Sequence, residues 1–363
     1  MTTIVEGMTP AQFITAMNDN FAEIKYQTTA ITTIAGDSNI SVVETNFQNV
    51  RGETYSAPTT YNIVAGISGR NYIDHINANF NNYSAADFTI TVGADKNFTT
   101  IGAAITRAFA GNTLRIDGEI YYELNVWVTK TLTFQGLPGI SVAMAYNISS
   151  GIICHYKNMN TTGRWWTTLG VAITGAKVIY EDCNVYFDAD DDINGLHIYE
   201  DAGTGNEVNI INGSVLEFSG HSGSYFTMGC ALVVHQAVSP KIVITDSYII
   251  ENANQNTISY ATIMSARGEL EVRNSTLEIK NYDGVNKKTN IIIFKYAGDP
   301  LNVTLEDVTF INDVPDRYAI HIVKDVPLDE NDWIVASGLV NQTQQADICS
   351  DMADWNYLIA NAP

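Results

Sequence analysis

The amino-acid sequence predicts a mainly β chain in which short strands stack into a solenoid. Three observations carry that expectation. Five stretches, VIYEDCNVYF (178–187), VNIINGSVLEF (208–218), IVITDSYII (242–250), LEVRNSTLEI (270–279) and VTLEDVTFI (303–311), share one pattern: alternating apolar positions, an Asp or Asn, then a second short alternating run. The turn residues Asp182, Asn212, Asp246, Asn274 and Asp307 recur at intervals of 30, 34, 28 and 33 residues. The composition agrees, with 45% apolar but only 16% charged residues, a balance that suits repetitive β chains better than helical bundles.

Each motif has a physical reading. Period-2 alternation buries one side of a short strand. Asp or Asn then turns the chain, because its short side chain bonds neighbouring backbone and tolerates left-handed geometry. A single turn cannot bury its own apolar side, so successive turns must stack. The intervals exceed what a minimal rung needs, which predicts loops at 188–207 and 218–229. An antiparallel sandwich would show tight hairpin turns instead.

The segment that enters this array adds a resemblance. Residues 91–139 contain Phe98-Thr99-Thr100-Ile101 with Ala104-Ile105, Gly118 with Tyr122-Glu123, and Lys130-Thr131-Leu132-Thr133-Phe134-Gln135-Gly136. This order resembles the opening of pectin-lyase-like right-handed parallel β-helices, notably pectin methylesterases, with the Gly-to-Glu spacing one residue longer. The resemblance implies a right-handed, single-stranded parallel β-helix of roughly eight coils and a short helix over its first coil. Ile101, Ile105 and Phe109 would share one face of that helix and shield the open strand edges. The active-site strings of the esterases, Q-D-T-L and D-F-I-F-G, do not occur, so no catalytic residue carries over.

Other candidate chemistry stays open. Asp188, Asp190, Asp191 and Asp192, near His197, fit a solvated loop, a loose ion site centred on Asp188, Asp190 and Asp192, or an acid–base pair for glycoside cleavage. His221 and His235 read as structural or loop histidines. Trp165 and Trp166, beside Arg164, fit a core or interface as well as a glycan contact, with Tyr225 as a further glycan candidate. Cys154, Cys183, Cys230 and Cys349 show no C-x-x-C and read as buried thiols. No catalytic residue, metal or cofactor is assigned.

The N-terminus carries a different repeat. GMTPAQFITAMNDNF (7–21) and GISGRNYIDHINANF (66–80) lie 59 positions apart. Thr9 or Ser68 caps a helix, and Pro10 suits its first position. Phe13, Ile14, Met17 and Phe21, like Tyr72, Ile73, Ile76 and Phe80, form an apolar stripe, and Asn-x-Asn predicts a stop after about nine residues. Helices that short need a dock. Two docks are open: an intrachain mini-domain, or a collar whose copies contact partner chains.

The short T-x-x-x-F-I-x-x-x-N-x-N-F helix followed by Thr/Asn-rich chain resembles the start of tailed-bacteriophage fibre and appendage proteins. That resemblance implies a virion protein, a tail spike or fibre. It would be anchored to other virion proteins through the N-terminus and assembled as a homo-oligomer, a trimer in particular, with a host-surface polysaccharide as a further partner. A polysaccharide depolymerase and a bacterial surface adhesin are the alternatives. The division expected is an attachment and oligomerisation region at 1–86, a β-helix at 87–340 and a helical cap at 341–363, where Ile348, Met352, Trp355 and Ile359 fall at helical spacing.

The net charge of −21 argues against a nucleic-acid partner, since phosphate binding relies on clustered Lys and Arg. The first residues lack the basic and apolar regions of a secretory signal, and no run of 18 apolar residues predicts membrane insertion. The expected location is the virion, after synthesis in the host cytoplasm.

Overall fold

The computed structural model describes the chain except residues 1–2, 6, 24–42, 44–68, 85–89, 95, 97, 109, 119, 138–141, 161–164, 170–172, 189–195, 199–203, 220–231, 235–239, 253–260, 266–267, 281–288, 296 and 299. It is mainly β, with helices α1 (Pro10–Glu23), α2 (Gly69–Ser84), α3 (Ile101–Arg107) and α4 (Met352–Ala360). Among the described residues all strands pair in parallel, in three sheets. Sheet A has ten strands, in order Ile90–Val92, Thr113–Ile116, Leu132–Gly136, Ile153–Lys157, Lys177–Glu181, Glu207–Ile211, Lys241–Thr245, Gly268–Arg273, Leu301–Glu306 and Trp333–Ser337. Sheet B has eight, running from Ile120–Val128 to Ile320–Lys324, and sheet C six, from Asn184–Asp188 to Val340–Thr343.

From Lys177 the chain visits A, C and B in turn, then begins again. That succession is compatible with a solenoid. Ten strands at about 4.8 Å spacing extend roughly 43 Å. The expected loop at 188–207 is in part a strand, because Leu196–Ile198 joins sheet B. The turns are long because each holds three strands.

The turn residues behave as their chemistry requires. Asp182, Asn212, Asp246, Asn274 and Asp307 have φ of 52°, 56°, 51°, 46° and 53°. These values lie in the left-handed region that Asn and Asp tolerate best among residues with a side chain. Asn158 at 51° and Gly338 at 62° continue the column. Main-chain N–H groups of Asp246, Asn274 and Asp307 each donate to the following turn, at Arg273 O (3.1 Å), Glu306 O (2.9 Å) and Ser337 O (2.9 Å). At Asn212 the chain has one residue more, and the N–H of Gly213 makes that link instead, to Asp246 O at 2.7 Å. A Cβ on Gly338 would run into the Asp307 carboxylate, so the position requires glycine on two counts.

Inside, side chains of sheet A stack in columns. Phe134, Tyr156 and Tyr180 are fully buried, with successive ring centroids 5.3 and 5.1 Å apart. The same register continues through Ile210, Ile244, Val272 and Leu305.

Helix α3 covers the first turns, as expected of a cap. The Glu123 carboxylate accepts from the N–H of Ile101 and of Gly102, both at 2.8 Å. Lys130 Nζ donates to the carbonyls of Ile105, Thr106 and Ala108 at 2.9, 2.9 and 2.6 Å. Acid at the N-terminus and base at the C-terminus also suit the helix dipole. The Glu and Lys of the motif therefore hold the two ends of one helix. Lys130→Met should cost about 1.5–3 kcal/mol, the range for hydrogen bonds to a charged group, read as a lower urea midpoint.

At the far end, Asp351 caps α4 by accepting from the N–H of Ala353 and Asp354. Trp355 and Leu358 are buried in the core, and Ile348, Met352 and Ile359 pack against it. Nearby, His321 Nδ1 lies 2.6 Å from Ser350 Oγ. Burial, then the charge of Arg317, hold the imidazole below its ordinary 6.5. The folded chain thus binds this proton less readily than the unfolded chain. The stability involved is whole above pH 6.5 and is lost as pH falls through that value towards the folded one. Between pH 7.5 and 5 the urea midpoint should drop more for the natural chain than for His321→Gln.

Helices α1 and α2 have 14 and 16 residues, longer than the nine expected. The Asn positions do not stop them. Asn20 and Asn79 are buried within the helices, and tertiary burial overrides the turn preference of Asn.

Candidate functional site

Two regions bear on function: the duplicated helices and the outer faces of the sheets. At the start of α1, Thr9 Oγ1 accepts from Gln12 N–H at 3.3 Å, and Gln12 Oε1 accepts from Thr9 N–H at 2.9 Å, a reciprocal capping box with Pro10 between. From that start, Phe13 faces α2 and stacks on Tyr72, ring centroids 6.2 Å apart. Burial pushes the Tyr72 hydroxyl up to about 12, so it stays protonated. Met17 and Ile76 are fully buried, while Ile14 and Ile73 are half-buried. The Asn77 side chain clamps the main chain of Ile4, accepting from its N–H at 3.0 Å and donating to its carbonyl at 2.7 Å. Phe21 and Phe80 belong to the helices, but their side chains lie outside the described residues. Of the stripe residues, the structure thus brings Phe13 and Tyr72 together directly and buries Met17 and Ile76 within the chain.

On the outer face of sheet A, charges of opposite sign occupy neighbouring turns. Lys177 pairs with Glu207 at 2.9 Å, and Lys241 with Glu269 at 2.8 Å and Glu271 at 2.7 Å. Glu181 takes Lys157 at 3.1 Å and His155 at 2.8 Å, and Arg273 takes Glu306. The hydrogen bond from Lys157 holds Glu181 below the usual carboxylate range, and Glu269 and Glu271 lift Lys241 to about 12. Such partly exposed pairs are worth about 0–1 kcal/mol each, so the face is laced rather than strongly stabilised.

On the outer face of sheet C, Lys280 pairs with Glu217 at 2.8 Å, and the Tyr248 hydroxyl donates to Glu278. Glu217 and Glu278 sit two strands apart in register. Burial first, then Glu278, push Tyr248 up to about 12, which leaves it a hydrogen-bond donor rather than a base.

The glycan candidates Trp165 and Trp166 lie in the sheet B strand Trp165–Leu169, paired with Met144 and Ala145. Their side chains, and Tyr225 altogether, lie outside the described residues. Asp188 ends a sheet C strand, but its side chain and the whole of Asp190 and Asp192 fall outside them too. Among the described residues no group of three His, Cys, Asp or Glu is placed to hold a metal. Sequence reading missed Trp127, in the first sheet B strand, which is 56% exposed. Its signal was alternation: Val126 and Val128 on either side are buried, so Trp127 must face out. Compared with family models, curated proteins and solved structures, the chain matches none.

Proposed function

We propose that the three sheets close into a right-handed parallel β-helix and that the chain is a structural appendage of a tailed-bacteriophage virion, a tail spike or fibre. The observation that carries this reading is the strand succession A, C, B, repeated in register along a ten-stranded sheet whose outer face is tied by ion pairs. An element of that kind is a stiff, acidic spacer. The N-terminal helices supply attachment to other virion proteins. Chains associate as a homo-oligomer, a trimer by analogy with β-helical spikes. Sheet B carries the exposed Trp127 and the strand of Trp165 and Trp166, so a host-surface glycan would be met there. The carbohydrate-cleaving alternative gains nothing from Glu217 and Glu278, which are engaged by Lys280 and Tyr248.

The test is immunogold labelling of particles from the source culture with antibody to the full chain, together with light scattering of the purified chain. Gold on a projecting structure and an oligomeric mass support the reading. Unlabelled particles, with the chain found only free in the lysate, would overturn it.

A further inference from the structure

The three sheets end differently at the last turn. Sheet A ends on Trp333–Ser337, which lies against α4. Sheet B ends on Ile320–Lys324, and a later segment bonds its edge: the N–H of Ile320 donates to Ile348 O at 3.0 Å, and the N–H of Ser350 to Ile320 O at 3.1 Å. Sheet C ends on Val340–Thr343, and among the described residues no further strand pairs with it. The N–H of Val340 donates to Val308 O at 2.9 Å, towards the neighbouring strand. Main-chain groups alternate in direction along a strand, so those of Asn341 and Thr343 point to the open side. An open edge of this kind is a template for another strand. Val340, 46% exposed, adds apolar surface beside it.

The sequence changes character at this edge. Strand by strand through sheet C, one column in register reads Val185, Leu216, Ile249, Leu277 and Phe310, all buried, and then Asn341. An amide therefore stands where the column calls for an apolar residue. Its Oδ1 accepts from the N–H of Thr343 at 3.2 Å, and its Nδ2 donates to Gln345 O at 3.1 Å. Thr343 Oγ1 donates to Gln345 O and accepts from the N–H of Gln345, both at 3.2 Å. An Asn that bonds the main chain two residues on competes directly with a strand ladder. Here it takes the N–H of Thr343, which a new strand would need. We infer that Asn341 and Thr343 form a stop that keeps a second copy of this chain from adding to sheet C. The partner excluded is the same edge of that copy. Both edges present the same outward main-chain groups and the same Val340, and they would pair antiparallel about a two-fold axis. The inference rests on sheet C alone and holds whether or not the chain belongs to a virion.

The test compares full-length variants with the natural chain by light scattering across a concentration series, with folding checked by circular dichroism. Asn341→Leu with Thr343→Val continues the apolar column and removes the side-chain bonds of both residues. Asn341→Leu with Thr343→Pro is equally apolar but lacks the edge N–H. Proline is tolerated there because that N–H points away from the neighbouring strand. The variant with valine should at least double the mass of the natural chain as concentration rises, and the variant with proline should keep the natural mass. If the valine variant keeps the natural mass throughout, the inference is overturned. Equal association of both variants overturns it too, because exposed leucine and not edge pairing would then be the cause. Should the valine variant not fold, Asn341→Ala alone frees the N–H of Thr343 and should show the same growth. A folded Asn341→Ala chain of natural mass would sink the inference.

Discussion

Asp332→Ala is expected to destabilise the chain by about 3–5 kcal/mol, the cost of removing one partner from a buried ion pair. Lys295 Nζ sits 2.7 Å from Asp332 and 3.1 Å from Asp329, with the lysine side chain 3% and the Asp332 side chain 0% exposed. Burial alone would pull the lysine below its ordinary value. The hydrogen bonds to Asp332 and Asp329 outweigh it and hold the ammonium above its ordinary value. Asp332 also accepts from the N–H of Leu301 and of Asp329, both at 2.8 Å, so it ties a sheet A strand to the segment that leads into the last one. Urea unfolding of Asp332→Ala, Lys295→Met and the double variant would measure this. The double variant should recover a large part of the loss, because both buried charges are then gone and the Asp329 left behind is half exposed. If Asp332→Ala falls within 1 kcal/mol of the natural chain, the pair is not buried as described.

Tyr156→Ala should be comparably severe, about 3–5 kcal/mol on the scale of large aromatic-to-alanine changes in cores. Its ring lies between Phe134 and Tyr180, so the deletion removes both contacts and leaves a void between neighbouring turns. Substitution at the edge of the same stack, Phe134→Leu, should cost far less, since volume is largely kept. The difference in urea midpoint between the two variants measures this. Equal losses for the two variants would overturn this expectation.

The sequence made the turns legible because their chemistry is local. Asp182, Asn212, Asp246, Asn274 and Asp307 were visible as Asp or Asn after alternating residues, and each adopts the left-handed conformation. Asn158 escaped notice, although it adopts the same geometry, because its strand ICHYK is followed by no second alternating run. The third strand of each turn was also hidden. Leu196–Ile198 and Leu232–Val234 are only three residues long, too short for a period to register. Paired helices could be read from repetition, but not that Phe13 would meet Tyr72, since contact between copies depends on tertiary geometry. Lys295 and Asp332 carry no local signal at all: their partnership spans 37 residues and exists only once the turns have stacked.

The extra glycine at Gly213 has a bearing on how such a chain changes over time. Ile211 and Val215 flank that corner, and both stay in step with the neighbouring turn, opposite Glu181 and Asn184. An added residue was absorbed at the corner without sliding either strand. Corners of this kind uncouple the length of a turn from the alignment of the strands beside it. Segments can be lengthened or trimmed between strands while every inward side chain keeps its neighbours, so the outer surface is free to diversify over an interior that stays fixed.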